Sequence, residues 1–421
     1  MTRYALRKLK IMMHENGLKS ILINNRSDFI ASLFVYVRVG SVNEKLSQLG
    51  ISHFLEHLMF KGSKNYSVNL MIRNIESMGG EINAATSKEY TMYYMNVQKD
   101  YLEKGIMMLG DTMQNPIFPQ NEIDIERKVV IEEIRRYYDN PRAVLYEKFY
   151  ETIYAESFLK NSVIGTSQII ANISREEICS YYKTHYIPAK MIVVVSGNFS
   201  ESTVKKNINE TFGRFEKSTL PAEPSLIEKV HNGKDVIEYG RMKVGQMLTG
   251  FLVTNINEND IYVANLAVSV LGVGRNSRLY RILYEKKHLV YSIGAFFSIG
   301  KGTGNICISS VFDSKNIEEI KSEIKNQIES IIDDGITKEE LKRSKLVVKT
   351  DWYFSLETSF DIAELYGFWH LMGIPEFMIK FIKKIDVITI DDIRYFFKKH
   401  YLPEIISNVA LLPKTRSYIC R

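Results

Sequence analysis

Apolar and polar positions along the chain switch repeatedly between a two-residue and a 3.6-residue period, so strands and helices come in runs. Glu15-Asn16-Gly17 before the apolar run Leu18 to Ile23 predicts a hairpin, and 29–39 alternates as a long half-buried strand. A helix over 50–60 precedes a second that begins near Ser67 and is ended by Gly79-Gly80, after which 81–85 and 90–97 read as strands. Further helices are expected over 100–113, over 121–138, closed by Asn140-Pro141, and over 142–155. The second half has the same texture, with strands near 243–253 and 304–311 and helices near 260–271 and 317–333. Runs of this kind, without strict βαβ alternation, predict the α+β class.

An internal repeat organises these elements. Ile173 to Pro188 lines up without gaps on Ile388 to Pro403, an offset of 215 residues. Both copies open with a capping box (Ser174 with Glu177, Thr389 with Asp392), continue as an amphipathic helix, stop at Tyr-x-Pro and lead into a β-rich run. The expectation is two homologous tandem α+β domains, each a mostly antiparallel sheet packed against helices. They are placed at 1–220 and 236–421, joined by an aperiodic linker at 221–235 that carries Pro221, Pro224 and several charges.

Composition narrows the function classes. The 421 residues are 45% hydrophobic and 25% charged, with 24 Gly and 9 Pro, the make-up of an ordinary globular protein. The net charge of +6 is spread among interleaved acids and bases, which argues against a nucleic-acid partner. Cys179, Cys307 and Cys420 lie far apart with no CxxC, the pattern of reduced thiols in a cytoplasmic protein. The first ten residues lead into a polar turn, with no secretory h-region, and the longest apolar run is strand-sized. No membrane span is expected, since crossing takes about 20 apolar residues.

His53-Phe54-Leu55-Glu56-His57 is the sharpest chemical feature. Positions i, i+3 and i+4 share a helical face, so both imidazoles and the Glu56 carboxylate project together. Two His one turn apart can fill adjacent vertices of a tetrahedral zinc site, with the carboxylate between them placed to activate water. The bland alternative is a solvated helix face with two ordinary histidines. A third ligand weighs against it. On the helix over 122–138, Glu126, Val129, Val130, Glu133 and Tyr137 fall at i, i+3, i+4, i+7 and i+11, a stripe that holds two carboxylates among apolar residues. A carboxylate on such a face needs a partner: a dication could take Glu133 directly, with Glu126 behind the ligands, or Lys or Arg from elsewhere could pair with either. Glu132 lies about 100° around the helix and points to solvent.

Taken together, Gly50-Ile-Ser-His53-Phe-Leu-Glu56-His57-Leu-Met-Phe-Lys-Gly62 and Glu126-Arg127-Lys-Val-Val-Ile-Glu-Glu133, 76 residues from second His to third ligand, resemble the pitrilysin or inverzincin zinc metallopeptidases, in the short two-domain form of the mitochondrial processing peptidase. The resemblance spans essentially the whole chain. It implies Zn2+ held by His53, His57 and Glu133, Glu56 as general base, and Glu126 as a supporting glutamate of the catalytic site. Gly79 to Tyr94 resembles the family's edge strand beside the metal, to which a substrate peptide adds as a further strand; Asn83 and Ala84 are the expected contacts, although an ordinary hairpin would read the same way.

Asn276 to Ser292 resembles the family's substrate-reaching segment and supplies Tyr291, whose alternative is a core aromatic at a strand start. The Arg usual seven residues earlier is replaced by Tyr284, so Arg281 or a partner subunit would have to stand in. Val268 to Leu271, at the repeat-equivalent place, is apolar, so one zinc per chain is expected. The implied function is endopeptidase cleavage of extended or unfolded peptides or presequences inside a dimeric chamber, a homodimer or a heterodimer with a homologous subunit. The competing expectation is a non-catalytic scaffold of the same fold.

Overall fold

The computed structural model describes residues 8–154, 156–221 and 229–414. Residues 222–228 of the expected linker lie outside the described residues, as do the first seven residues and Cys420. In chain order the elements are β1 (Lys8–Met13), β2 (Lys19–Asn24), β3 (Ile30–Val37), α1 (Ile51–Met59), α2 (Leu70–Ser77), β4 (Glu81–Thr86), β5 (Thr91–Gln98) and α3 (Leu102–Gln114). Then come α4 (Gln120–Tyr138), α5 (Pro141–Ile153), α6 (Ser167–Asn172), α7 (Arg175–His185), β6 (Met191–Gly197), α8 (Glu201–Glu210), β7 (Asp235–Gly240), β8 (Gly245–Thr254) and α9 (Glu258–Gly272). The remainder is β9 (Val290–Ile299), β10 (Thr303–Phe312), α10 (Ile317–Asp333), α11 (Lys338–Phe354), α12 (Ser359–Leu371), α13 (Phe377–Val387), α14 (Ile390–His400) and β11 (Ser407–Pro413).

The chain forms two compact units. One comprises residues 1–135, 161–224 and 354–378; the other comprises 136–160, 225–353 and 379–421. The first unit is built on a sheet of order β1-β2-β6-β3-β5-β4, in which only β2 and β6 run parallel. β6, Met-Ile-Val-Val-Val-Ser-Gly, is buried on both faces and sits near the middle, as an unbroken apolar run should. β5 buries every second residue. The predicted hairpin joins β1 to β2 through Gly17, whose φ of 95° suits the turn.

Strands buried on both faces need two covering layers. α3 packs on β3 and β5, while α12 packs on β3 and β6, so a helix from residues 359–371 completes the first unit. Their approach is tight: a Cβ on Gly367 would lie 2.1 Å from the Tyr36 ring, and the Tyr36 hydroxyl donates to the Glu364 carbonyl at 2.9 Å.

The second unit has sheet order β7-β11-β8-β10-β9, with β7 and β11 parallel, and α5 packs on its β8 and β11. Setting β1 aside, the two sheets match strand for strand in order and direction. The repeated helices α7 and α14 keep both capping boxes and each lead, through a short 3-10 turn, into the strand beside the parallel neighbour.

Candidate active site

α1 sits in the first unit with one face buried. Ile51, Ser52, Phe54, Leu55, Leu58 and Met59 are buried; the three residues left partly open are His53, Glu56 and His57. Full burial of Phe54, Leu55 and Leu58 stabilises the fold by about 1.5–3 kcal/mol each, enough to fix which face looks outward. The two imidazole centroids lie 4.7 Å apart with planes at 71°.

α4 brings in two carboxylates. His57 Nε2 is 3.4 Å and His53 Nε2 3.8 Å from the Glu133 oxygens, and one ligand atom from each of the three residues lies within 4.8 Å of the other two. Ligands at about 2.0–2.1 Å from a tetrahedral zinc stand roughly 3.3 Å from one another. The three side chains therefore need shift only slightly to hold such an ion. Behind them, His57 Nδ1 donates to Glu126 Oε1 at 2.8 Å, which fixes the tautomer and directs the Nε2 lone pair toward Glu133. Lys61, one turn beyond His57, pairs with Glu126 Oε2 at 2.7 Å. Of the partners expected for an acid on this helix, the basic side chain is found at Glu126, in Lys61.

The helical stripe differs from the expected one. α4 buries Ile123, Glu126, Val130 and Ile134, whereas Val129 is 44% exposed and the Glu133 side chain 38% exposed. The buried face is rotated toward Ile134, because its spacing of three, four and four follows the helical period better than a line through Val129 and Glu133. Glu126 is thus the enclosed acid, 5% exposed, and Glu133 stands at the rim of the site.

Charge favours a cation here. Burial, reinforced by His57, lowers the His53 pKa to about 4, keeping the ring neutral, the form that ligates metal. Burial would also lower His57, but the hydrogen bond to Glu126 and the charges of Glu56, Glu126 and Glu133 outweigh it and raise the pKa. Glu126 is pushed up by burial and pulled further down by His57 and Lys61. Burial raises Glu56 against the hydrogen bond from Thr86, whose hydroxyl donates to Oε2 at 2.6 Å. Three carboxylates against one lysine make a pocket that suits a dication. The buried His53 Nδ1 has no partner among the described residues.

β4 ends the first sheet, so one of its edges has no strand partner among the described residues. Asn83 is exposed and bonds its own neighbour, Ala84 N donating to its Oδ1 at 2.9 Å, while Ala84 is half-buried. In the second unit, Tyr291 is 60% exposed near the start of edge strand β9, so it is no core aromatic. Tyr284 lies in a π-helical turn, Tyr280–Lys286, stacked on Tyr280 at 4.6 Å. Sequence reading did not single out Lys61 or Thr86. Lys61 could have been found at i+4 from His57; Thr86 arrives by tertiary contact alone.

Comparison with known proteins identifies the family. The profile of the insulinase family (peptidase family M16) matches residues 19–167, and that of the peptidase M16 inactive domain follows over 172–348. A Bacillus subtilis protein named uncharacterized zinc protease YmxG is 28% identical over 408 residues, 95% of this chain and 98% of its own length. An uncharacterized zinc protease of Rickettsia felis is 29% identical over 82% of each chain. Among solved structures, a protease from Helicobacter pylori superposes with a TM-score of 0.90 at 24% identity, over 97% of this chain and all of that one. The peptidase M16 inactive domain from Pseudomonas fluorescens gives 0.89 at 15% identity, over 97% and 98%. With both profiles in tandem and the same two-unit fold, the chain belongs to the pitrilysin-like peptidase family M16.

Proposed function

We propose that this chain is a zinc-dependent endopeptidase acting on extended or unfolded peptides. The observation that carries the reading is the convergence of His53, His57 and Glu133 ligand atoms within 4.8 Å, with Glu56 on the same helical face. The names of the relatives, zinc proteases, point to the same ion. Zinc, when bound, supplies Lewis acidity that acidifies water and polarises a peptide carbonyl. Glu56 takes a proton from the attacking water and returns it to the leaving amine. The Thr86 hydroxyl donates to Glu56 Oε2 and so holds the carboxylate in place for that exchange. Glu126 orients the His57 ring and is itself held by Lys61.

The free edge of β4, with Asn83 and Ala84, receives the substrate as an added strand, a mode that uses backbone bonds and suits peptides without folded structure. Tyr291, exposed on the second unit, is the further substrate contact in this reading. The working form is a pair of two-domain chains, as a homodimer or with a homologous subunit. No helix among the described residues is long and apolar enough to cross a membrane, and the free thiols Cys179 and Cys307 agree with a cytoplasmic setting. The alternative is a non-catalytic scaffold.

Purified protein should carry about one zinc per chain, and Glu56→Gln should keep that zinc while losing cleavage of an unfolded peptide by about 100-fold or more. Protein without zinc, or full activity in Glu56→Gln, would favour the scaffold.

A further inference from the structure

The helix that presents the metal-binding face has no ordinary N-cap. Gly50 stands at that position with φ 92° and no side chain to accept from the first turn. No capping side chain fits there: a Cβ on Gly50 would lie 2.8 Å from the Ile164 carbonyl oxygen and 2.9 Å from Gly165 Cα. Gly165, also left-handed, is blocked in the same way by Leu49 and Gly50. Ser, Thr, Asp and Asn, the usual caps, are excluded by this glycine-on-glycine contact.

Glu44, six residues upstream, caps the helix instead. It is only 3% exposed, and each of its two oxygens serves one amide. Oε2 accepts from Gly50 N at 2.7 Å and Oε1 from Ser52 N at 2.8 Å. The Ser52 side chain then ties the helix to α7, its hydroxyl 2.8 Å from the hydroxyl of buried Tyr181. His53 directly follows Ser52, so these bonds set the height and rotation at which the ligand face of α1 begins.

We propose that Glu44 is a positioning residue of the metal site, a remote cap that fixes the first turn of α1 and so the placement of His53, Glu56 and His57. The assignment rests on the zinc-peptidase reading. A carboxylate in this place also complements the positive end of the helix. Glutamine cannot replace it, because an amide offers one acceptor oxygen where two N–H groups need one each.

The test uses the full chain as Glu44→Gln, Glu44→Asp and, as a destabilised control away from α1, Ile208→Ala on α8. Hydrogen exchange of the amides of 50–54 is measured on chelator-treated protein, zinc affinity by competition with a chromophoric chelator, and peptide cleavage as kcat and KM. In Glu44→Gln, exchange at 50–54 should quicken about fivefold, the size of one lost cap. Zinc affinity should fall about tenfold, and kcat should fall with KM unchanged. Glu44→Asp should recover part of each change, and Ile208→Ala should lower the melting temperature while keeping wild-type zinc affinity. Unchanged exchange at 50–54 in Glu44→Gln would overturn the capping role. Faster exchange with wild-type zinc affinity and kcat would overturn the link to the site. A wild-type chain that binds no zinc refutes the peptidase reading and with it any metal-positioning role, and the exchange data still decide whether Glu44 caps α1.

Discussion

Glu126→Gln keeps the volume of the enclosed acid and removes its charge, and is expected to weaken zinc binding about 10- to 100-fold in a chain that still folds. The geometry gives the size of the effect. Glu126 is 5% exposed and spends one oxygen on His57 Nδ1 at 2.8 Å and the other on Lys61 Nζ at 2.7 Å. Glutamine offers one oxygen and one NH2 group. Turned either way it leaves one donor without an acceptor, which costs about 1–3 kcal/mol for a buried group, or roughly 5- to 150-fold in affinity if the loss falls on the orientation of His57. Competition with a chromophoric chelator measures the affinity, and thermal melting checks the fold. Lys61→Met separates orientation from charge: it leaves the Glu126–His57 bond in place and removes a positive charge close to the site, so zinc should bind as tightly as in the wild type or more tightly. Wild-type affinity in Glu126→Gln, or an equal loss in Lys61→Met, would refute the reasoning.

Gly50→Ala should destabilise the fold by about 1–3 kcal/mol, because φ is 92° and the new Cβ would press on Ile164 and Gly165; an unchanged melting temperature would refute the close contact. Burial pushes the Glu44 carboxyl up from 4.5 to about 7. The folded state then holds the proton longer than the unfolded chain, so the contribution is fully present below pH 4.5 and is lost as the pH rises through 7. The stability of wild type relative to Glu44→Gln, from urea unfolding, should therefore fall as the pH rises from 4.5 through 7, and a pH-independent difference would refute burial as its cause.

Much of the first unit was legible because its signals are local. The Asn-Gly turn and the i, i+3, i+4 spacing in α1 each state a geometry within a few residues. The half-buried strand expected over 29–39 is corrected: β3 is buried at seven of its eight positions, because α3 and α12 both pack on it. The exchange of α5 and α12 between the halves was not legible, since no local period says which sheet a helix covers. α12 does carry a hint: eight of its thirteen residues are buried, so it must have cover on more than one side. In the candidate site, His53 and His57 stand out by spacing, whereas Thr86 reaches α1 from the end of β4 and Glu44 from six residues upstream of Gly50, and neither leaves a periodic trace. On α4 the buried stripe lies one position from the expected line, since i+3 and i+4 neighbours diverge over two turns and Val129 rotates out to solvent.

The second unit lacks the pattern that α1 carries. α9 follows β8 as α1 follows β3 in the matching sheet, and an offset of 215 residues carries His53 onto Val268 and His57 onto Gly272. Yet α9 buries eleven of its fifteen residues, around its whole circumference, while α1 buries six of nine and leaves only the three motif residues partly open. A carboxylate placed at the equivalent of Glu56 would replace Leu271, which is fully buried, and would cost several kcal/mol unless paired. Writing the motif into α9 would therefore disturb the second core before it made a ligand set. Among the described residues, α1 combines an open helix face, an enclosed glutamate behind it and a capped first turn, whereas α9 has the capped first turn, through Asn257 and Asp260, without the open face.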